Sequence, residues 1–451
     1  MRPPRKRAAT NNSKPGRATP PPRSVELTID GIGARGDGTA RLLNEAVFVP
    51  FTVPGDQVIA RIEGRRGDGL VASLTEIVVP GPGRAEPPCP LFGRCGGCSL
   101  QHLDNDLYDD WKRGLLLTQL ARQGLADVAV GPLVRVPPGS RRRATLAFHR
   151  KKAATILGFN ARASHSVIDV ERCLLLDNAL NGMLGPLRAM LTAIVADGED
   201  GDVIVTATES GLDMLVEADA RLDLFDREKL AAFADAHDLA RLSWRRPGGA
   251  FIDPIARRRP AIVHFGGIAV EPPPGGFLQP TKGGEMAIAE AVLAGIGAAD
   301  HIADLYSGCG SFTFPLAARG RAIHAVEGEE APIRALEAAA NAGGLRVTSE
   351  VRDLARRPLL AHELKKFQAI VFDPPRAGAA AQVEQLAGAA AQVGKLAGAG
   401  PAVVVAVSCN PATLARDLDV LVKGGYRIVG ITPIDQFPFS AHLEAVAVLR
   451  R

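Results

Sequence analysis

Ile302-Ala303-Asp304-Leu305-Tyr306-Ser307-Gly308-Cys309-Gly310 decides the reading of this chain. Ile302 to Tyr306 is strand-like, and the glycines that follow break it and open a helix over Phe312 to Arg319. Ala322 to Val326 reads as the next strand and Ala331 to Ala342 as the next helix, with later strands at Phe367 to Phe372 and Pro401 to Val407. Strands that alternate with helices pair in parallel and take helices on both faces. The expected C-terminal architecture is therefore α/β, a doubly wound parallel sheet of Rossmann-like form. Tyr426 to Ile434 and Glu444 to Leu449 are expected as added edge strands.

Open α/β sheets bind ligands beyond the carboxyl ends of their strands. Glycines after Asp304 let backbone approach a ligand there, and the amides of a helix N-terminus face it. Glu327 ends the next strand, where a carboxylate can accept from both hydroxyls of a ribose. Asp353 ends the strand after that, near where an adenine would lie. The loop after Asp304 forms neither Gly-x-Gly-x-x-Gly nor a phosphate-cradling lysine loop. A phosphate-poor nucleoside such as S-adenosylmethionine fits better than a dinucleotide or a flavin. Cys309, inside the loop, reads as a small filler. Asp373-Pro374-Pro375-Arg376 follows another strand. Its two prolines force a rigid turn that projects carboxylate and guanidinium, and an Asp facing a flipped base can accept from its ring N–H.

Ser408-Cys409-Asn410-Pro411 places a cysteine after the apolar run Pro401 to Val407, again at the ligand-binding end of a sheet. By itself Cys409 reads as an ordinary buried cysteine. The neighbouring methyl-donor site makes it a candidate nucleophile. C6 of a uracil is a soft electrophile, and sulfur added there turns C5 into an enolate-like carbon that can attack a methyl group.

At 451 residues, two or three domains are expected, and a 46% hydrophobic share suits a globular chain with a proper core. The net charge of +4 argues little for a polyanionic partner. Residues 1–23, however, hold seven Lys and Arg and no acid, a disordered basic tail by composition. Residues 24–80 read as short strands with glycine-rich turns, a small β-barrel with a basic patch at Arg61, Arg65 and Arg66. Pro80 to Pro90 is a linker, residues 81–270 a central α+β region, and Pro272-Pro273-Pro274 marks the entry to 271–451. Arg141-Arg142-Arg143 is a candidate phosphate clamp. The near-repeat at 381–388 and 391–398 reads as a local duplication in a crossover helix. No run approaches the ~18 apolar residues of a membrane span, and no apolar run follows the N-terminal charges. A cytoplasmic monomer is expected.

Six cysteines in such a chain point to metal or catalysis rather than disulfides. Cys89, Cys95 and Cys98 form Cys-x5-Cys-x2-Cys, and Cys173 is the remaining cysteine before the C-terminal region. Four thiolates suit either a tetrahedral zinc or an iron–sulfur cluster.

Taken together, these motifs resemble the RNA 5-methyluridine (uracil-C5) methyltransferases, in particular the iron–sulfur bacterial enzymes acting on 23S rRNA. The resemblance covers about residue 24 to the C-terminus. It implies that the N-terminal barrel is a TRAM-like RNA-binding module. It implies that Cys89, Cys95, Cys98 and Cys173 hold a 4Fe-4S cluster. Gly276-Phe277-Leu278-Gln279 is similar to the family's entry segment. Asp304 to Gly310, Glu327, Asp353 and Asp373 to Arg376 match its cofactor and base motifs. Gln279, Tyr306, Ser311, Glu327, Asp353 and Asp373 are thereby implied as S-adenosylmethionine contacts. Ser408 to Asp417 matches the nucleophile motif, with Cys409 as nucleophile, and Phe437 to Glu444 the C-terminal motif, with Glu444 as base. Thr281, Ser307 and Ser311 depart from the family's usual residues. The implied function is S-adenosylmethionine-dependent formation of 5-methyluridine, with 23S rRNA favoured as substrate and tRNA the alternative. An N-methyltransferase needs neither Cys409 nor Glu444, and a non-enzymatic RNA-binding or redox-sensing protein needs no methyl donor.

Overall fold

The computed structural model describes residues 23–392 and 400–451. All of the basic tail before Arg23 lies outside them, as do residues 393–399, which take in most of the second repeat copy. The chain forms two compact units, one reaching to Glu86 and including His102–Asp104, the other made of Pro87–Gln101 and Asn105–Arg451.

The first unit is one sheet in the order Ser24–Thr28, Gln57–Arg66, Gly69–Val79, Glu45–Val49, Gly38–Leu42, Gly31–Ile32. Alternation along its strands sends Val47, Val49, Val58, Ala60, Ile62, Leu70 and Ala72 into one core, the period-two signature of a strand with one buried face. The expected basic patch is corrected here. Arg65 donates to both carboxylate oxygens of Glu45 at 2.8 and 3.0 Å. Arg66 pairs with Asp37 at 2.9 Å, and Arg61 stands 3.7 Å from Glu63. Each cation has an acid beside it, so the patch is a row of ion pairs.

The second unit holds two large sheets. A seven-stranded sheet runs from Val167–Asp169 at one edge to Ile252–Arg257 at the other. Helix Asn178–Ile194 packs on it, with Leu180, Leu184, Leu187 and Leu191 facing the core at helical spacing. Asp177 caps that helix by accepting from Leu180 N at 2.8 Å.

The eight-stranded sheet is ordered Val347–Val351, Ala322–Glu327, His301–Leu305, Ala369–Phe372, Val403–Ser408, Glu444–Arg450, Arg427–Asp435, Val134–Arg135. Its first five strands are parallel. Each fully buried valine of Val403–Ser408 contributes about 1.5–3 kcal/mol of apolar transfer energy. The expectation of two C-terminal edge strands is corrected. Glu444–Arg450 lies inside the sheet, antiparallel to both neighbours. Its run Ala445 to Leu449 is apolar and suits burial on both faces. The outer edge is Val134–Arg135, so the central region and the C-terminal region share one unit.

Candidate active site

Three parallel strands deliver Tyr306, Glu327 and Asp353 to one end of the sheet. After His301–Leu305 the chain turns sharply, with Tyr306, Gly308 and Gly310 at φ 62°, 54° and 99°. A Cβ on Gly310 would lie 2.5 Å from the Phe314 ring, so only glycine fits there. Tyr306 holds a left-handed conformation that is costly for a bulky residue, a form of strain that clusters at functional sites. Gly308 N donates to Glu327 Oε2 at 3.0 Å, while Glu327 Oε1 accepts from Gly328 N and Glu329 N. The carboxylate thus ties the glycine loop to the start of the next helix. Asp353 is exposed and accepts from Ala355 N at 3.0 Å. Ser311 is partly buried on the same loop. Burial pushes the Cys309 thiol up to about 12, which suits an inert filler.

Asp304 is fully buried at the strand end. Its Oδ2 accepts from Thr313 Oγ1 at 2.6 Å, and its Oδ1 has no hydrogen-bond partner. Ser307 Oγ is also buried without one.

The reacting groups meet beside this loop. Ser408 pairs with Ala445, so the antiparallel register sets Cys409 alongside Glu444. Asn410 caps helix Pro411–Lys423 by accepting from Ala412 N, with Pro411 at its first turn. The Asn410 amide donates to Arg376 O at 3.0 Å, which joins the nucleophile turn to the Asp373-Pro374-Pro375-Arg376 turn.

A chain of side-chain hydrogen bonds links the two carboxyl groups. Gln279 Nε2 donates to Asp373 Oδ2 at 3.1 Å. Gln436 Nε2 donates to Gln279 Oε1 at 2.7 Å and to Glu444 Oε2 at 2.9 Å. Glu444 Oε1 and Gln436 Oε1 are buried without partners. Burial, reinforced by Asp373, pushes Glu444 up to about 8, and burial pushes Asp373 up to about 7 against the Gln279 hydrogen bond. Burial, with Glu444 and Asp373 nearby, pushes the Cys409 thiol up to about 11, while Arg376 opposes the rise. Burial thus favours the neutral forms of these groups, and a cation entering beside them would favour the charged carboxylates.

Sequence reasoning missed Gln436, which directly precedes the Phe437-Pro438 motif. It also misplaced the arginines. Arg142 is buried, pairs with Glu285 at 2.5 Å and donates to Gln279 O at 3.2 Å. Arg143 donates to Gly276 O and Gly275 O at 3.1 and 3.0 Å. The Arg142 and Arg143 side chains hold the entry segment, so the expected phosphate clamp is corrected. Thr281 caps helix Lys282–Ile296 by accepting from Gly284 N at 3.0 Å, a task Asn performs equally well.

The four expected metal cysteines come together. Cys89, Cys95, Cys98 and Cys173 line one cavity of about 110 Å³, with Arg141 and Gln101 in its wall. All four are free thiols. Burial, followed by the neighbouring thiols, pushes Cys98 up to about 12. Among the described residues no group of three or more His, Cys, Asp or Glu is arranged to hold a metal ion. No helix of the described residues is long and apolar enough to cross a membrane.

Comparison with known proteins bears on this geometry. Residues 272–451 match the family model described as tRNA (Uracil-5-)-methyltransferase. An RNA methyltransferase of Rhizobium meliloti is 41% identical over 433 residues, covering 94% of this chain and 99% of the relative. The 23S rRNA (uracil(1939)-C(5))-methyltransferase of Pectobacterium atrosepticum is 30% identical, covering 95% of this chain and 94% of its own. Among solved structures, Pyrococcus abyssi tRNA (uracil-54, C5)-methyltransferase in complex with S-adenosyl-L-homocysteine superposes with a TM-score of 0.73 at 25% identity. It covers 94% of this chain and 99% of the archaeal one.

Proposed function

This chain belongs to the RNA uracil-C5 methyltransferase family, and on that premise we propose that it makes 5-methyluridine in 23S rRNA through a Cys409–C6 adduct. The observation that carries the reading is the register that sets a thiol beside a buried carboxyl group with one oxygen, Oε1, left without a partner. S-adenosylmethionine, when bound, supplies an electrophilic methyl on a cationic sulfonium. The site suits it: Asp304 Oδ1, Ser307 Oγ and Glu444 Oε1 are buried groups that lack partners, and a cation beside Asp373 and Glu444 lowers both carboxyl groups. Gln279, Tyr306, Ser311, Glu327, Asp353 and Asp373 form its contacts in this reading.

A flipped uridine enters against Asp373, which accepts from its N–H. Phe277, 66% exposed next to buried Gln279, offers a face for a stacked base. Cys409, having lost its S–H proton, attacks C6 as thiolate, and the electron pair moves to C5, which would take the methyl group as the donor's sulfonium leaves as a neutral thioether. Glu444 then takes the C5 proton, the C5–C6 double bond re-forms, and Sγ leaves as thiolate.

We assign the four-thiol cavity to a 4Fe-4S cluster. Four thiols lining a cavity of about 110 Å³ leave room for a cage of several atoms, which a single zinc would not need. When present it serves structure or RNA docking, since the reaction transfers no electron.

The rRNA assignment rests on the Pectobacterium relative. A tRNA substrate is the second reading, supported by the archaeal enzyme's match along nearly the whole chain. The test is nucleoside mass spectrometry after incubating anaerobically purified protein with S-adenosylmethionine and unmodified 23S rRNA or tRNA. New 5-methyluridine in rRNA alone supports the assignment, and in tRNA alone it reverses it. Product from Cys409→Ala at the normal rate would sink the adduct mechanism.

A further inference from the structure

Glu444 follows an irregular loop, 436–443, and its position depends on what holds that loop. The holder is a lysine with no exposed surface, Lys112 on helix Asn105–Arg122. An ammonium has three N–H donors, and all three are used. They go to Asp435 Oδ1 at 2.7 Å, to Phe437 O at 3.3 Å and to His442 O. One side chain therefore grips the loop just before Gln436 and again two residues before Glu444. Tyr108, one helical turn away, donates to Asp435 Oδ2 at 2.5 Å and accepts from Phe439 N at 2.9 Å. On the other side, Ser99 N and Leu100 N donate to Phe439 O at 2.8 and 3.2 Å. These are the two amides that follow Cys98. Phe439 sits at φ 59°, a conformation a bulky residue keeps only when its surroundings over-determine it.

A solvated surface lysine would do as well for packing this helix, and an apolar residue would fill the site with less desolvation. A buried cation with every donor spent on one loop is a device for fixing that loop. We propose that Lys112, with Tyr108 and the amides after Cys98, is a positioning device for Glu444, required for removal of the C5 proton rather than for attack by Cys409. The proposal rests on Glu444 being the base of the reaction above. In the step concerned, the C5–H bond breaks, Glu444 keeps the proton, the electron pair closes C5–C6, and the C6–Sγ bond breaks.

The test separates adduct formation from adduct resolution. With 5-fluorouridine in the target RNA there is no C5 proton to remove, so denaturation-stable protein–RNA adduct reports on Cys409 and methyl transfer alone. Ordinary RNA reports on the whole cycle. Lys112→Met and the milder Tyr108→Phe, which removes only a hydroxyl, are compared with the unchanged protein. Both variants should trap fluorinated RNA at close to the unchanged rate. Their turnover on ordinary RNA should fall roughly ten- to hundredfold, the scale of an ångström-level misplacement, and adduct should accumulate there. Normal turnover in both variants overturns the proposal. So does an equal loss of fluoro-adduct and turnover, which marks a purely structural role. If the unchanged protein forms neither adduct nor product, the functional reading fails, and this inference with it.

Discussion

Replacing Glu444 by Gln removes a carboxyl group that is only 2% exposed. Burial, with Asp373 beside it, lifts that group from 4.5 to about 8. A folded value raised above the unfolded one means that the native state keeps a proton the unfolded chain has released. The corresponding stability is fully present below the unfolded value and is lost as pH rises through the folded value. Wild type should therefore lose stability relative to Glu444→Gln between pH 5 and pH 8. At about 1.4 kcal/mol per pH unit, this amounts to at most about 4 kcal/mol over that span. Coupling to Asp373 shares the cost between two carboxyl groups, so about 2 kcal/mol is the working expectation. The new amide has no acceptor where Oε1 now lies, which adds a constant penalty of about 1–3 kcal/mol. That penalty does not depend on pH, so the slope of the difference isolates the ionisation. Urea unfolding of both proteins at pH 5, 6, 7 and 8 reads it directly. Parallel stability curves across that range would refute the reasoning.

Other expectations follow from single contacts. Gly310→Ala forces a Cβ to 2.5 Å from Phe314 at φ 99°, and should cost about 1–3 kcal/mol and most of the S-adenosylmethionine affinity by calorimetry. Gly308→Ala, at φ 54° with open space around it, should cost only about 1–2 kcal/mol. Arg376 opposes the rise of the Cys409 thiol. Arg376→Met should therefore slow iodoacetamide labelling of Cys409 at pH 8 by roughly two- to fivefold, and unchanged or faster labelling counts against that role. Cys98→Ala, which removes one wall of the four-thiol cavity, should lower bound iron and sulfide after anaerobic reconstitution. Equal iron content in variant and wild type would reject the cluster assignment.

The alternation of strands and helices from Ile302 onward was legible because periodicity and glycine placement are local properties. The same is true of the glycine loop after Asp304, whose constraint at Gly310 comes from Phe314 within a turn of chain. Cys409 and Asp373 could be placed at strand ends from local pattern, whereas Glu444 was named only through the family resemblance. Their mutual arrangement was not legible. Glu444 reaches Cys409 only because its strand inserts between Val403–Ser408 and Arg427–Asp435, and strand order follows from long-range pairing that no local pattern encodes. Charge was the least legible property. Arg61, Arg65, Arg66 and Arg142 look like nucleic-acid contacts in a sequence, and partners twenty to more than a hundred residues away make most of them ion pairs. Lys112 is the extreme case: a lysine in a helix reads as solvent-facing until the fold brings Asp435, Phe437 and His442 around it. Sequence alone determined which groups were present and which local backbone each one occupied. The tertiary structure decided which of them lose water, and with it which carry a charge, because desolvation depends on neighbours that only folding supplies.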